Sequence, residues 1–120
     1  MTGSDVRALC LSLPEATEIE TWGDGDDPGH PTFRVRDRIF LIMAVDGRGG
    51  SIRTSAGEQA ELMSAFPDAA RHAAYVGRFG WVDVDFARIP DEVLREVIEA
   101  AWARTAPKKV VAAWQAVGPR

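Results

Sequence analysis

The sequence predicts an α+β fold, with a single antiparallel sheet of about five to six strands and helices packed on one face. Short segments whose apolar residues alternate with a period of two indicate strands. The connections between them are short and rich in turn residues, so neighbouring strands must run antiparallel. A long segment with helical spacing follows near the C-terminus. With 120 residues and no linker or repeat, the chain is expected to form one domain over residues 1–120.

The first half of the chain predicts one short helix followed by four strands. Ser4 and Asp5 are good N-cap residues, and the helix is expected to end near Pro14. The apolar residues with helical spacing behind this cap are Val6, Leu9, Cys10 and Leu13. Strands are predicted at residues 16–22, 32–35, 38–45 and 51–54, with turn-rich segments between them.

The second half predicts a helix, two strands and two further helices. The first helix spans residues 56–66 and stops before Pro67, with Ala60, Leu62, Met63 and Phe66 available for packing. Strands are predicted at residues 73–76 and 81–86. Pro90 suits the first turn of the long helix, whose buried stripe is Val93, Leu94, Val97, Ile98, Ala101 and Trp102. The last helix is predicted at residues 107–115, with Val110, Val111 and Trp114 for packing.

The charge is acidic as a whole and uneven along the chain. Fourteen basic and eighteen acidic residues give a net charge of −4. Residues 1–27 hold one Arg and seven acids, for −6, whereas residues 28–60 hold five Arg and three acids, for +2. An acidic protein is a poor non-specific binder of nucleic acid, because phosphate contacts need concentrated positive charge. Any nucleic-acid site must therefore be local.

Composition also indicates where in the cell the protein is expected and limits the possible roles of its cysteine. No apolar run approaches the roughly 18 residues of a membrane span, and the start lacks the pattern of a secretory signal. We therefore expect a soluble, cytoplasmic protein with no membrane contact. Cys10 is the single cysteine, which excludes an internal disulfide and any multi-cysteine metal site. Its place among apolar residues of the first helix assigns it to packing.

Residue types that support catalysis or metal binding occur without a recognisable arrangement. His30 and His72 lack a third ligand at suitable spacing, and no serine lies in a nucleophile motif. The acidic segment before His30 departs from the calcium-loop pattern at Pro28. Asp83 and Asp85 share a strand face, as carboxylates on exposed strands often do. We therefore predict no enzyme activity, no catalytic or metal-binding residue and no cofactor.

Arginines at alternate strand positions are the best candidates for binding. If Phe33 and Val35 face the helices, then Arg34 faces the opposite side of the sheet. Likewise, buried Val82, Val84 and Phe86 would place Trp81, Asp83 and Asp85 outward. An outward Trp can stack on a base or anchor a protein, and Arg can hold a phosphate. The alternative is that Arg34 and Arg53 pair across strands with Asp83 and Asp85.

Five segments together resemble the MmcQ/YjbR family of small bacterial proteins. They are "LSLPEATE", "HPTFRVRDRIFLIM", "FPDAARHAAYVGRFGWVDVDF", "IPDEVLREVIEAAWART" and "APKKVVAAW". The resemblance extends from about Val6 to Trp114. The matching positions are Leu13, Pro14, Phe33, Arg34, Val35, Arg38, Phe40, Arg78, Trp81, Pro90 and residues 106–109.

The resemblance implies a double-wing DNA-binding fold, related in shape to frataxin-like proteins and type III secretion chaperones. On this basis we expect a DNA-binding domain whose phosphate contacts come from Arg34, Arg36, Arg38, Arg53 and Arg78, with Trp81 as a stacking or wedging surface. The alternative is a chaperone-like module that holds a protein partner on the same sheet face. Two positions depart from the family pattern. Arg36 and Asp37 stand where glycines are common, and Gly80 is expected to loosen the strand that carries Trp81.

Overall fold

The computed structural model describes residues 1–21, 29–73 and 77–117, and this part of the chain contains four helices and one six-stranded antiparallel sheet. The elements in order are α1 (Gly3–Ser12), β1 (Ala16–Thr21), β2 (His30–Val35), β3 (Arg38–Met43), β4 (Gly49–Arg53), α2 (Ala56–Ala65), β5 (Ala70–His72), β6 (Trp81–Asp85), α3 (Asp91–Thr105) and α4 (Lys108–Ala116). The predicted α+β class and order of elements are confirmed. Trp22, assigned to the first strand, lies outside the described residues.

Helix α1 begins two or three residues earlier than the sequence predicted. Its N-cap is Thr2, whose hydroxyl accepts a hydrogen bond from the Asp5 backbone N–H at 3.1 Å. The Asp5 carboxylate in turn accepts from the Thr2 backbone N–H at 2.9 Å, which completes a capping box. The assignment of Ser4 and Asp5 as caps was therefore wrong, because Asp5 serves as the third residue of the box.

The strand order is β1-β2-β3-β4-β6-β5, so the chain builds four strands as a meander and adds β5 outside β6. The strand predicted at residues 73–76 is tested by the structure only at its first residue. Ala73 is not in a strand, and residues 74–76 lie outside the described part of the chain. Instead β5 starts at Ala70, which is 4% exposed and pairs with Val84. Ala70 belongs to the core, and its pairing with Val84 of β6 could not be read from alternation along the chain.

A β-bulge in β3 fixes which side chains reach the core. Phe33 pairs with Leu41 and Arg34 pairs with Ile39, so Phe40 is an extra residue on β3. As a result Phe40 and Leu41, although consecutive, are both 0% exposed. The bulge leaves Arg34 on the face opposite Phe33, as the alternation predicted.

The core lies between the sheet and the helices, which cover one of its faces. The largest fully buried side chains are Trp102, Phe33, Phe40, Phe86, Leu41, Ile52 and Leu94. Cys10 is also buried, and burial raises the pKa of its thiol to about 12. The packing predicted for α2 was wrong in part. Ala60 is exposed, whereas Gln59 is buried and its amide hydrogen-bonds to the backbone.

The hairpin between β2 and β3 turns through two residues with left-handed backbones. Arg36 has a φ of 48° and Asp37 a φ of 67°, which is the geometry of a type I′ turn. Glycine adopts this conformation without strain, whereas Arg and Asp do not. The Arg36 guanidinium forms a bidentate pair with Glu15, at 2.7 and 3.2 Å.

We expect Asp37→Gly to raise the free energy of unfolding by about 1 kcal/mol, because the substitution removes left-handed strain at the turn. Asp37 is exposed, and the Arg36–Glu15 pair stays intact. Urea denaturation monitored by circular dichroism measures the change. Asp46→Gly, in an exposed turn where the carboxylate accepts a hydrogen bond from the Arg48 backbone, should destabilise instead. Equal effects of the two variants would contradict the assignment of left-handed strain to Asp37.

Gly80 does not loosen β6, contrary to the sequence-based expectation. Its φ of 91° is accessible to glycine, and a Cβ there would overlap the Thr54 carbonyl oxygen. The Thr54 backbone N–H donates to the Gly80 carbonyl at 2.8 Å, and the Thr54 hydroxyl donates to the same oxygen. Gly80 therefore clamps the start of β6 against the end of β4.

Candidate binding surface on the open sheet face

The sheet face opposite the helices, here called the open face, has two chemically different parts. Register places Arg53 opposite Trp81, with Arg34 further across the sheet on β2. We call these three residues the aromatic strip. One step along the strands, Ser51 lies opposite Asp83, and Gly49 lies opposite Asp85. This second part contains the acidic cleft described below. No helix in the described part of the chain covers the open face.

Trp81 is half-buried, and its backbone is held from two directions. The Gln59 amide donates to the Trp81 carbonyl at 2.6 Å and to the Gly77 carbonyl at 2.9 Å. The Ala73 backbone N–H donates to the same Trp81 carbonyl at 3.3 Å. With Gly80 clamped immediately before it, the Trp81 ring stands on a fixed backbone. A fixed, partly exposed aromatic ring is a suitable stacking surface because little entropy is lost on binding.

Arg53 is half-buried beside Trp81 at the end of β4. Its carbonyl accepts a hydrogen bond from Arg104 at 3.2 Å, which ties the strand end to α3. Within the described residues, its guanidinium has neither a hydrogen bond nor an ion pair. This group is therefore available to an anion that approaches the ring of Trp81.

Arg34 lies on the open face, and hydroxyl groups hold its guanidinium along β2 towards Thr32, which by register is level with Asp83. Its Nε donates to the Thr32 hydroxyl at 3.1 Å, and one terminal nitrogen donates to the Thr21 hydroxyl at 2.9 Å. Thr32 is 0% exposed and donates to the Ile19 carbonyl at 2.7 Å. Because guanidinium has five N–H groups, Arg34 retains three for a ligand.

Two of the other predicted arginines, Arg36 and Arg38, lie away from this strip. Arg36 is at the hairpin tip and pairs with Glu15, which lowers the pKa of the Glu15 carboxyl. Arg38 pairs in register with Val35, so it belongs to the margin of the helix-bearing face. For Arg78 the structure describes the backbone, in the short 3₁₀ turn Gly77–Phe79, but not the side chain. Of the six residues predicted, three form the strip.

The predicted cross-strand ion pairs are also wrong. Asp83 accepts a hydrogen bond from the Ser51 hydroxyl instead of pairing with Arg34 or Arg53. Asp85 lies 3.5 Å from the guanidinium of Arg88 and accepts from the Ala87 backbone N–H. The carboxylates are satisfied locally, so they do not neutralise the strip by direct contact.

A cleft of about 350 Å³ occupies the acidic part of the open face. Gly49 and Gly50 are part of its lining, and a Cβ on Gly49 would overlap the Val84 carbonyl oxygen of β6. Its charged lining combines the carboxylates of Asp46, Asp83 and Asp85 with the guanidiniums of Arg48 and Arg71. Within the described residues, no group of three or more His, Cys, Asp or Glu side chains could hold a metal ion.

Sequence reasoning missed two residues that shape this surface. Gln59 supports Trp81 from inside, and a single polar residue in a helix gives no sign of such a role. Phe79 is 63% exposed, two residues before Trp81, in a segment that was assigned to a turn. This large, exposed aromatic side chain adds apolar surface just before the start of β6.

Comparisons with known proteins agree on the fold. A family model described as YjbR matches residues 11–104. A crystal structure of the Deinococcus radiodurans protein DR2400, with the family-model domain DUF419, is similar with a TM-score of 0.75 and 22% sequence identity. The match covers 86% of this chain and 77% of that one. No curated protein sequence matches. Among the described helices, none has the length and apolarity needed to cross a membrane.

Proposed function

The chain belongs to the YjbR family, and we propose that it is a non-enzymatic, cytoplasmic nucleic-acid-binding protein that binds single strands weakly on its open face. The observation that carries the proposal is the position of Arg53 directly opposite Trp81 on an uncovered sheet. A sheet that presents an aromatic ring beside a guanidinium can stack one base and hold its phosphate. Arg34 offers a second phosphate contact.

A single strand fits this surface better than a duplex. The bases of a duplex are already stacked, so Trp81 could reach one only after unstacking it. Duplex binding would also need several phosphate contacts, whereas the strip contains two guanidiniums and the neighbouring acidic part repels a long polyanion. With two phosphate contacts to a single strand, log K is expected to fall with log salt at a slope of about −1.4.

Fluorescence anisotropy with labelled oligothymidine at roughly 50 mM salt tests the proposal. Trp81→Ala should weaken binding by about 5- to 150-fold, the usual value of one base stacked on an aromatic residue. Arg53→Gln should flatten the salt slope by about 0.7. Arg38→Gln is the matched control, because it removes the same charge from an exposed site off the open face. No binding, or equal effects of Arg53→Gln and Arg38→Gln, would refute the proposal.

A second candidate is a protein-interaction module that holds a cationic segment of a partner on the same face. The observations that favour it are the three carboxylates against two guanidiniums in the cleft lining, the net charge of −4 and the exposed Phe79. Asp83→Asn separates the two functions, since the amide oxygen can still accept from Ser51. Loss of this charge should strengthen oligothymidine binding, whereas it should weaken binding of a cationic protein segment.

A further inference from the structure

A groove of about 440 Å³ lies between α2 and α3, on the helix-bearing side of the molecule. Its floor is apolar and consists of Leu62, Ala65, Phe66, Val93, Val97 and Ala100. Ala65 is exposed, and Phe66, Val93 and Ala100 are only half-buried. The two helices therefore leave a strip of apolar surface in contact with solvent.

The rim of this groove is acidic. Glu58 and Glu61 border it from α2, and Glu96 borders it from α3. Glu96 also borders a second groove, of about 530 Å³, together with Glu99 and Trp114. Arg104 is the one cation that lines either groove in the described part of the chain. Negative charge along an apolar channel favours a ligand with positive charge beside an apolar stripe.

The carboxylate of Glu58, on this rim, lacks part of its ion-pair and hydrogen-bond partners. Its Oε2 lies 3.8 Å from a terminal nitrogen of Arg104, at the long limit of an ion pair. Its Oε1 is buried and has no hydrogen-bond partner among the described residues. Burial raises the pKa of this carboxyl, because its charged form lacks adequate solvation. Arg104 therefore does not fully satisfy the one rim carboxylate that it contacts.

We propose that the groove between α2 and α3 binds an amphipathic helix of a partner protein, with aliphatic residues on the floor and Lys or Arg side chains on the glutamate rim. A channel bordered by two helices can accept a third helix by ridge-and-groove packing. Because α2 has 10 residues, the channel is about 15 Å long and accommodates about ten residues of the partner. The groove is on the helix-bearing side, so a helix bound there would not cover the proposed nucleic-acid site on the open face.

A labelled synthetic peptide of Leu and Lys in a helical amphipathic pattern is a suitable probe, measured by anisotropy at about 150 mM salt, where long-range attraction is screened. A peptide of the same composition, scrambled so that Leu and Lys do not separate onto two faces, controls for charge. Glu61→Gln with Glu96→Gln removes two rim charges. Glu20→Gln with Asp37→Asn removes two charges from exposed sites elsewhere and is the matched protein control.

The amphipathic peptide should bind and the scrambled one should bind at least about tenfold more weakly, since the apolar stripe must reach the floor. The double rim variant should weaken binding about five- to tenfold and the control double variant by less than about twofold. Ala65→Gln, which covers exposed floor without emptying the core, should also weaken it. Equal losses in both double variants, or equal binding of the scrambled peptide, would overturn the proposal. So would self-association in sedimentation that the rim variant abolishes, because a second copy would then occupy the groove.

Discussion

Gly80→Ala is expected to lower the free energy of unfolding by at least about 3 kcal/mol, because two penalties coincide at this position. The φ of 91° is a left-handed backbone that L side chains rarely adopt. The added Cβ would also overlap the Thr54 carbonyl oxygen. That oxygen is a backbone atom of Thr54, which is only 3% exposed and directly follows β4. It cannot move aside without disturbing β4.

Gly57→Ala is the matched control for this substitution. Gly57 lies in α2, and a Cβ there would meet no atom within 4 Å. The variant should stabilise the protein by about 0.5–1 kcal/mol, the usual preference for Ala over Gly inside a helix. Urea denaturation of both variants gives the two free-energy changes. A Gly80→Ala protein within 1 kcal/mol of the wild type would contradict the clamp between Gly80 and Thr54.

The Gly80 clamp also bears on the proposed function, because Trp81 follows it directly. A shift of the Gly80 backbone would move the Trp81 ring relative to Arg53. Oligothymidine binding by any Gly80→Ala protein that remains folded is therefore expected to weaken as well. Gly57→Ala should leave it unchanged, since Gly57 contacts neither β4 nor β6 in the described part of the chain.

The sequence predicted the polarity of the sheet correctly because alternation is a local property of strands. Phe33 and Val35 are 0% exposed, whereas Arg34 between them is on the open face. Positions that depend on distant partners were missed. The place of β5 depends on the pairing of Ala70 with Val84 of β6, and the burial of Gln59 depends on two carbonyls about 20 residues away.

The candidate site was predicted less well than the fold for a related reason. A pattern of alternation shows which way a Cα–Cβ bond points, but it does not show where a long arginine side chain ends. Arg36 reaches Glu15, which is 21 positions earlier in the chain, and is removed from the site by that pair. Arg38 is displaced to the other face by the short turn that precedes it. The three-dimensional contacts of the side chains are needed to distinguish these arginines from Arg53, which stays on the open face.

The aromatic strip and the acidic part of the open face lie close together, and this limits which ligands the face can bind. Trp81 and Asp83 are two residues apart on one strand, so their side chains stand about 7 Å apart on the same face. A nucleic-acid strand that extended along β6 would meet Asp83 and Asp85, whereas one that crosses from β6 towards β2 meets Arg53 and Arg34. The charge pattern therefore favours a short ligand that runs across the strands. This direction would limit the proposed site to a few nucleotides, as expected for the weak binding that we propose.

Trp102→Ala is expected to lower the free energy of unfolding by about 3–5 kcal/mol, the usual loss for a fully buried aromatic residue. The Trp102 side chain is 0% exposed, and its Nε1 donates to the Pro14 carbonyl at 3.0 Å. It also contacts Trp114 of α4 edge-on, with ring centroids 5.1 Å apart. One residue of α3 thus joins the end of α1 and the last helix to the core.

Trp102→Phe separates the contributions of ring volume and hydrogen bond. It keeps an aromatic ring in the core but leaves the Pro14 carbonyl without this donor, so we expect a loss of about 1–3 kcal/mol. Hydrogen exchange should speed up in α4 more than in β3 for Trp102→Ala, since the half-buried residues of α4 depend on Trp102 for support. Equal destabilisation by Phe and Ala would show that the hydrogen bond dominates. Unchanged exchange in α4 would show that Trp114 holds this helix without Trp102.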